Sequence, residues 1–256
     1  MKIISLILAA AVMFIATATF ANAEKIRIAT EGAYPPFNSV DKNGKLVGFD
    51  VDIANALCKE MKAECTIVTQ DWDGMIPALL ANKYDAIVAS MSITDERKKK
   101  VDFTNKYYNT PAKFARKKGS GIEISKAGLK GKVVGVQRAT THDTFITAMF
   151  PGAKIKRYAS QDDAYLDATA GRVDLLIADS VAMKGGFLDK ANGKGWEFVG
   201  PDYTDRKFFG DGVGIAIRKG EDKLREKFNK AIAAIRANGT YKKIQAKYFD
   251  FDIYGQ

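Results

Sequence analysis

Along the chain, short runs of apolar residues alternate with longer stretches in which apolar residues return every three or four positions, as strands and helices taken in turn would require. Residues 26–29 (Ile-Arg-Ile-Ala) set apolar side chains at every second position and predict a strand. Residues 50–61 carry Val51, Ile53, Ala54, Leu57, Cys58 and Met61 on one helical face. A strand over 65–68, a short helix over 72–80 that must accommodate Pro77, and a near-continuous apolar strand over 85–89 complete a first cycle. An unbroken apolar strand is the pattern of a parallel sheet covered on both faces.

The cycle restarts beyond a basic, glycine-containing stretch at 117–121. Strands are predicted over 133–136, 155–158 and 174–178, and helices over 141–149, 162–170 and 180–190. Residues 82–87 (Asn-Lys-Tyr-Asp-Ala-Ile) resemble residues 170–176 (Ala-Gly-Arg-Val-Asp-Leu-Leu), each a helix end, a short turn and an apolar strand led by aspartate. Alternation met twice predicts two doubly wound α/β lobes and not a solenoid. A strand over 212–217 and helices over 224–237 and 241–248 follow.

The N-terminus stands outside this alternation. Lys2, an apolar or small stretch over 3–20 and the triplet Ala21-Asn22-Ala23 have the layout of a secretory leader, with cleavage expected after Ala23. A membrane anchor is the competing reading, and the Ala-x-Ala triplet directly after the stretch opposes it. Export makes the two cysteines, Cys58 and Cys65, read as a structural disulfide, and closing so short a loop contributes about 2–3 kcal/mol. Neither a Cys-x-x-Cys redox motif nor a set of metal ligands is present, since the single histidine, His142, is far from both cysteines in sequence. The net charge of +10 invites a nucleic-acid partner. Acids are interleaved with the bases almost everywhere, however, and the densest basic run, Lys98-Lys99-Lys100, follows Asp95-Glu96-Arg97 as a solvated helix face. Nucleic acid, metal and cofactor are all absent from the expected partners.

Seven short segments in this order carry a family resemblance. They are Tyr34-Pro35-Pro36-Phe37, Gly48-Phe49-Asp50-Val51-Asp52, Ser90-Met91-Ser92-Ile93-Thr94 with Arg97, Val101-Asp102-Phe103-Thr104, Gly135-Val136-Gln137-Arg138-Ala139-Thr140-Thr141-His142, Gly210-Asp211-Gly212-Val213-Gly214 and Asn238-Gly239-Thr240-Tyr241. Together the sequence resembles the periplasmic solute-binding proteins of polar amino acid importers (solute-binding family 3). The likeness is greatest to the lysine/arginine/ornithine and histidine group, and within it to the arginine/ornithine type. The resemblance implies a two-lobe periplasmic binding protein fold, each lobe a doubly wound mixed sheet, joined by two hinge segments. It places lobe 1 at 24–110 and 212–256 and lobe 2 at 111–211. It further implies a monomer in the periplasm that closes over an amino acid and presents it to the membrane permease of an ABC importer.

A free amino acid offers a carboxylate, an ammonium and a side chain. A guanidinium fork and the N–H groups of a helix start suit the carboxylate. Ser90, Met91 and Ser92 lead from an apolar strand to Thr94, a suitable N-cap, with Arg97 one turn into the helix; on residues alone Arg97 is equally a surface arginine paired with an acid. The resemblance makes it the carboxylate clamp and brings Thr140 and Thr141 to the same group from the other lobe. The departure is Ala139, where relatives often carry glycine; a positive φ there would strain alanine. Asp179, at a strand end, is either a helix N-cap or, as the resemblance implies, the ammonium partner. Tyr34 and Trp72 are core aromatics or, by resemblance, the walls of a slot for the ligand side chain. Glu31 then takes the distal positive charge and Gln137 adds a hydrogen bond. His142, just inside a helix start, is kept neutral by the helix dipole and either touches ligand or sits at the rim.

Other functions leave fewer marks. Some periplasmic dehydratases resemble these binders, yet no nucleophile–histidine–acid arrangement and no cofactor loop argues for catalysis, so no enzyme is expected. A sensor that carries the same ligand to a receptor differs little in sequence. A neutral ligand such as glutamine is the true rival, because it would use the same Arg97 and Asp179; opine-type arginine conjugates stand as a further alternative.

Overall fold

The computed structural model describes residues 23–255. Apart from Ala23, the expected leader lies outside the described residues, and among these no helix is long and apolar enough to cross a membrane.

Two five-stranded mixed sheets share one plan. The first runs Glu64–Thr69, Lys25–Thr30, Ala86–Ile87, Ala216–Arg218, Val101–Phe103. Its first three strands are parallel, and Ala216–Arg218 is antiparallel to both its neighbours. The second runs Lys154–Tyr158, Val133–Gln137, Leu175–Asp179, Ala112–Lys117, Trp196–Tyr203, again three parallel strands followed by antiparallel additions. The chain crosses to the second sheet between Phe103 and Ala112 and returns between Tyr203 and Ala216. The result is the two-lobed α/β architecture the alternation predicts.

The central strands are apolar almost throughout because both of their faces are buried. Ile26 and Ile28 belong to one core with Phe49, Ile53 and Leu57 of the helix Phe49–Glu60, whereas Ala29 faces Met75 and Leu79 of Met75–Leu80. In the second lobe Leu175 and Ile177 meet Phe145 and Ile146 of Thr141–Met149, while Leu176 and Ala178 meet Ala164, Tyr165 and Ala168 of Gln161–Thr169. Successive residues point to opposite faces, and each face finds its own helix layer. The two aspartate-led turns also have a common physical cause. Asp85 accepts from the Arg27 N–H at 2.9 Å and Asp174 from the Val133 N–H at 2.8 Å, so each pins the start of its strand to the neighbouring one.

Several elements depart from the periodicity. The segment 72–80 is a 3-10 turn, Trp72–Gly74, followed by the helix Met75–Leu80; Pro77 falls in the first turn, where its missing N–H would have no partner. The segment 180–190 is a short α-helix, Ser180–Met183, continued as a π-turn, Lys184–Leu188. The strands over 85–89 and 212–217 shorten to Ala86–Ile87 and Ala216–Arg218; Val213 keeps only isolated bridges to Ser92 and Tyr108. Cys58 and Cys65 form the expected disulfide, tying the end of Phe49–Glu60 to Glu64–Thr69.

Candidate functional site

Each polar group of the site stands where a strand ends or a helix begins. Thr94 caps Asp95–Lys98 by accepting from the Arg97 N–H at 3.2 Å, which sets Arg97 within the first turn. Thr140 caps Thr141–Met149 by accepting from Asp143 N–H at 3.1 Å. Asp179 ends Leu175–Asp179 and caps Ser180–Met183, its Oδ1 accepting from Val181 and Ala182 N–H at 2.8 and 3.0 Å. The local rules that end strands and start helices therefore deliver these side chains to one edge of each sheet, and the two edges face each other.

The cleft between them has two connected chambers. The first is lined by Glu31, Tyr34, Trp72, Ala89, Ser90, Ser92, Arg97, Gln137, Thr140, Thr141 and His142. The second adds Asp179 with Tyr108, Thr110 and Phe209, and shares Tyr34, Ser90, Ser92, Thr141 and His142 with the first. The structure thus gathers all but one of the residues singled out from sequence. The exception is Met91. Ser90 and Ser92 face the cleft, so the residue between them points the other way; Met91 is 1% exposed and packs with Trp72 and Met75 in the lobe 1 core. It also borders the neighbouring pocket, which Arg97, Thr140 and Thr141 line with it.

At one end the donors are unspent. The Arg97 guanidinium donates to the Ser92 carbonyl at 3.0 Å and lies 5.2 Å from the Trp72 ring centroid. Among the described residues it has no carboxylate partner, and burial draws its pKa down to about 10. The hydroxyls of Ser92 and Thr141 make no hydrogen bond among the described residues, whereas that of Thr140 is used locally, donating to Gln137 O at 2.8 Å. His142 stays neutral, because burial and the neighbouring Arg97 charge lower its pKa to about 3. Trp72 lines the cleft, and one face of its ring is covered by Arg97.

Acids stand apart from these donors. Asp179 takes a hydrogen bond from the Thr110 hydroxyl as well as its cap bonds, yet burial outweighs them and its pKa rises to about 6. Glu31 is pushed up to about 7, first by burial, with Asp162, Asp71 and Asp73 adding repulsion against the stabilising bond from Gln137. That bond crosses the cleft: Gln137 Nε2 donates to Glu31 Oε1 at 2.5 Å and to the Ala159 carbonyl at 3.1 Å. Two more contacts cross beside it, Trp72 Nε1 to the Ala139 carbonyl at 3.1 Å and Arg138 Nε to Asp73 at 2.5 Å. Ala139 adopts φ +58°, the left-handed conformation foreseen as a strain at this position. With these bridges in place, each chamber has a cavity volume of about 30 Å³, room for a water or two.

Sequence reasoning missed the support behind Ser90. Asp50 is 0% exposed and accepts from Asn38 Nδ2 at 2.8 Å, Ser90 Oγ at 2.9 Å and the Tyr107 hydroxyl at 2.7 Å. The signal was present in Gly48-Phe49-Asp50, which served only as a mark of resemblance. Gly48 itself is required: at φ +126° an added Cβ would sit 2.3 Å from the Phe37 carbonyl oxygen.

A two-lobed α/β fold with a polar cleft of unpaired guanidinium and buried carboxylates defines the class of binding proteins that close over small zwitterions. The chain belongs to the bacterial extracellular solute-binding proteins, family 3, which it matches over residues 26–251. It is 54% identical to an L-arginine-binding protein of Pseudomonas aeruginosa, across 100% of this chain and 99% of that one. It is 46% identical to a histidine-binding periplasmic protein of Salmonella typhimurium, over 94% of each. A solved arginine-specific periplasmic binding protein of Salmonella typhimurium superposes with a TM-score of 0.82 at 33% identity, covering 89% of this chain and 100% of that structure.

Proposed function

We propose that the chain is the periplasmic binding component of an ABC amino acid importer, and that its ligand is a basic L-amino acid, arginine and ornithine ahead of lysine and histidine. The observation that carries this reading is the partly buried Arg97, a guanidinium without a carboxylate partner among the described residues, in a cleft whose other charged groups are the acids Asp179 and Glu31. The α-carboxylate binds Arg97 with the Ser92 and Thr141 hydroxyls, and Thr140 holds the opposing helix start in place. The α-ammonium binds Asp179 beside Ser90. The ligand side chain runs past Tyr34 and Trp72, with His142 at the wall, to Glu31. A guanidinium or ammonium arriving there replaces Gln137 as the Glu31 partner. The names of the relatives, arginine-binding and histidine-binding, favour a basic ligand.

The lobes comprise residues 24–110 with 212–256 and residues 111–211, and the two crossing segments act as the hinge. The mature protein begins after Ala23, works as a monomer and hands its closed form to a membrane permease.

A thermal-shift panel on ligand-stripped protein, covering the twenty amino acids with ornithine, citrulline and octopine, tests the reading. Ligand at 100 times its Kd stabilises by about 2.7 kcal/mol, or roughly 5–10 °C for a chain of this size. The largest shifts are expected with arginine, ornithine, lysine and histidine, and smaller ones with neutral amino acids such as glutamine. Shifts with neutral amino acids alone would leave the Arg97–Asp179 frame and remove Glu31 from it.

A further inference from the structure

Three consecutive residues of lobe 2, Gln137, Arg138 and Ala139, each bond to lobe 1, and they do not face the same space. Gln137 lines a chamber of the cleft together with its partner Glu31. Neither Arg138 nor Ala139 lines either chamber, and neither does Asp73, the partner of Arg138. Ala139 and Asp73 border instead a separate groove of about 690 Å³, which Trp72 and Arg97 share and which runs out to the exposed Leu80. The contacts Trp72–Ala139 and Asp73–Arg138 thus form part of the wall between the chambers and that outer groove.

Local structure aims both contacts. The Arg138 N–H donates to the Tyr158 carbonyl at 2.9 Å, which carries the ladder between Val133–Gln137 and Lys154–Tyr158 one residue further. Ala139 then turns at φ +58°, and the next helix opens with the Thr144 N–H donating to the Thr140 carbonyl at 3.2 Å. The Ala139 carbonyl falls outside both ladder and helix, and Trp72 Nε1 donates to it at 3.1 Å. A left-handed alanine is disfavoured on its own, so this turn is held by its surroundings. On lobe 1 the 3-10 turn Trp72–Gly74 presents the two partners from adjacent positions. Trp72 is fixed from behind by Met75 and Met91, and the Arg97 guanidinium covers its ring.

A bond between lobes that leaves the ligand untouched strengthens the closed form by the same amount whatever lies inside. It scales every affinity alike, and it does so through release more than capture. We propose that Trp72, Asp73 and Arg138 are positioning residues of a latch, Trp72–Ala139 with Asp73–Arg138, which sets how long any ligand is held without helping to choose it. Choice falls to the third contact, Glu31–Gln137, whose partners line the chamber itself. This rests on the reading above of a cleft that closes over an amino acid. Exposure sets the size of each contribution. The Arg138 and Asp73 side chains are 47% and 37% exposed, whereas Trp72 is 9% exposed.

The test follows release of labelled arginine and labelled histidine from the full chain after rapid mixing with excess unlabelled ligand. D73N and R138Q should each speed release about two- to fivefold, the range of an exposed ion pair. D73N/R138Q should be no faster than either single variant. W72F keeps a ring beneath Arg97 but loses the N–H, and should speed release about two- to tenfold, the range of one neutral hydrogen bond. In every variant the arginine-to-histidine affinity ratio should stay as in wild type. Salt at about 1 M should narrow the gap between wild type and D73N by screening, and leave that of W72F in place. Single effects that add in the double variant, or release rates that do not change, would overturn the latch. A ratio that shifts in D73N or R138Q would overturn its indifference to the ligand, and a shift in W72F would assign Trp72 to the ligand instead. Wild-type protein that binds neither ligand would take down the amino acid reading and the latch with it, which separates the two failures.

Discussion

The two ends of the cleft are built differently. At the α-amino acid end, Arg97, Thr141 and Asp179 are placed by helix caps and strand ends within their own lobes, and Arg97 keeps its charge unpaired. At the distal end, Glu31 and Gln137 meet each other across the gap, flanked by the Asp73–Arg138 ion pair and the Trp72–Ala139 bond. The first end is set by local backbone rules and suits the part of the ligand common to every amino acid. The second end is set by side chains that pair across the gap, and on the proposed reading it is where ligand preference is decided. Trp72 joins the two, with Arg97 on its ring and its N–H bonded to the opposite lobe.

This division can be broken most directly at Arg97. R97A should weaken the binding of every amino acid by about 2–5 kcal/mol, as for truncating one partner of a buried hydrogen-bonded charge pair. Calorimetry with arginine and glutamine checks it; a loss confined to one of them would contradict the division. A smaller effect is expected at Asp179, where D179N should cost about 1.5–3 kcal/mol for all amino acids alike.

The distal end should reveal itself through pH. Glu31, at about 7 in this closed form against an ordinary value near 4.5, is favoured protonated, so it makes the closed form relatively more stable below pH 4.5 and less so as pH rises through 7. A cationic ligand side chain favours the carboxylate and lowers that pKa. Arginine affinity should therefore rise between about pH 5 and 7, level off above 7, and be accompanied by proton release near neutrality. Asp179, at about 6, affects all amino acids, so the difference between arginine and glutamine profiles isolates Glu31. Parallel profiles would remove Glu31 from the account. Smallest in its effect on the cleft is the disulfide: C58S/C65S should lower unfolding stability by about 2–3 kcal/mol in denaturant titration while ligand preference is unchanged.

What could be read from sequence follows the same line. The buried parallel strands and the caps Thr94, Thr140 and Asp179 rest on local patterns, so the strands announced themselves as apolar runs and the capped side chains fell at strand ends. Strands Ala112–Lys117 and Trp196–Tyr203 went unread because their polar residues pair with each other across the ladder, Lys113 with Asp202 and Arg116 with Glu197, which breaks the apolar signal. Met91 packs into the core between two cleft-lining serines, a side-chain direction that a run of polar site residues does not reveal. The Asp50 network depends on residues as far apart as Asn38 and Tyr107, a proximity that no local pattern encodes.

The most direct measurement is the arginine-to-glutamine affinity ratio of wild type and E31Q by calorimetry at pH 8, where Glu31 is ionised. The account predicts that E31Q weakens arginine by about 1.5–3 kcal/mol, the worth of a hydrogen bond to a charged group, and leaves glutamine nearly unchanged. Equal weakening of both ligands, or none, would contradict the assignment of ligand preference to the end of the cleft where Glu31 faces Gln137.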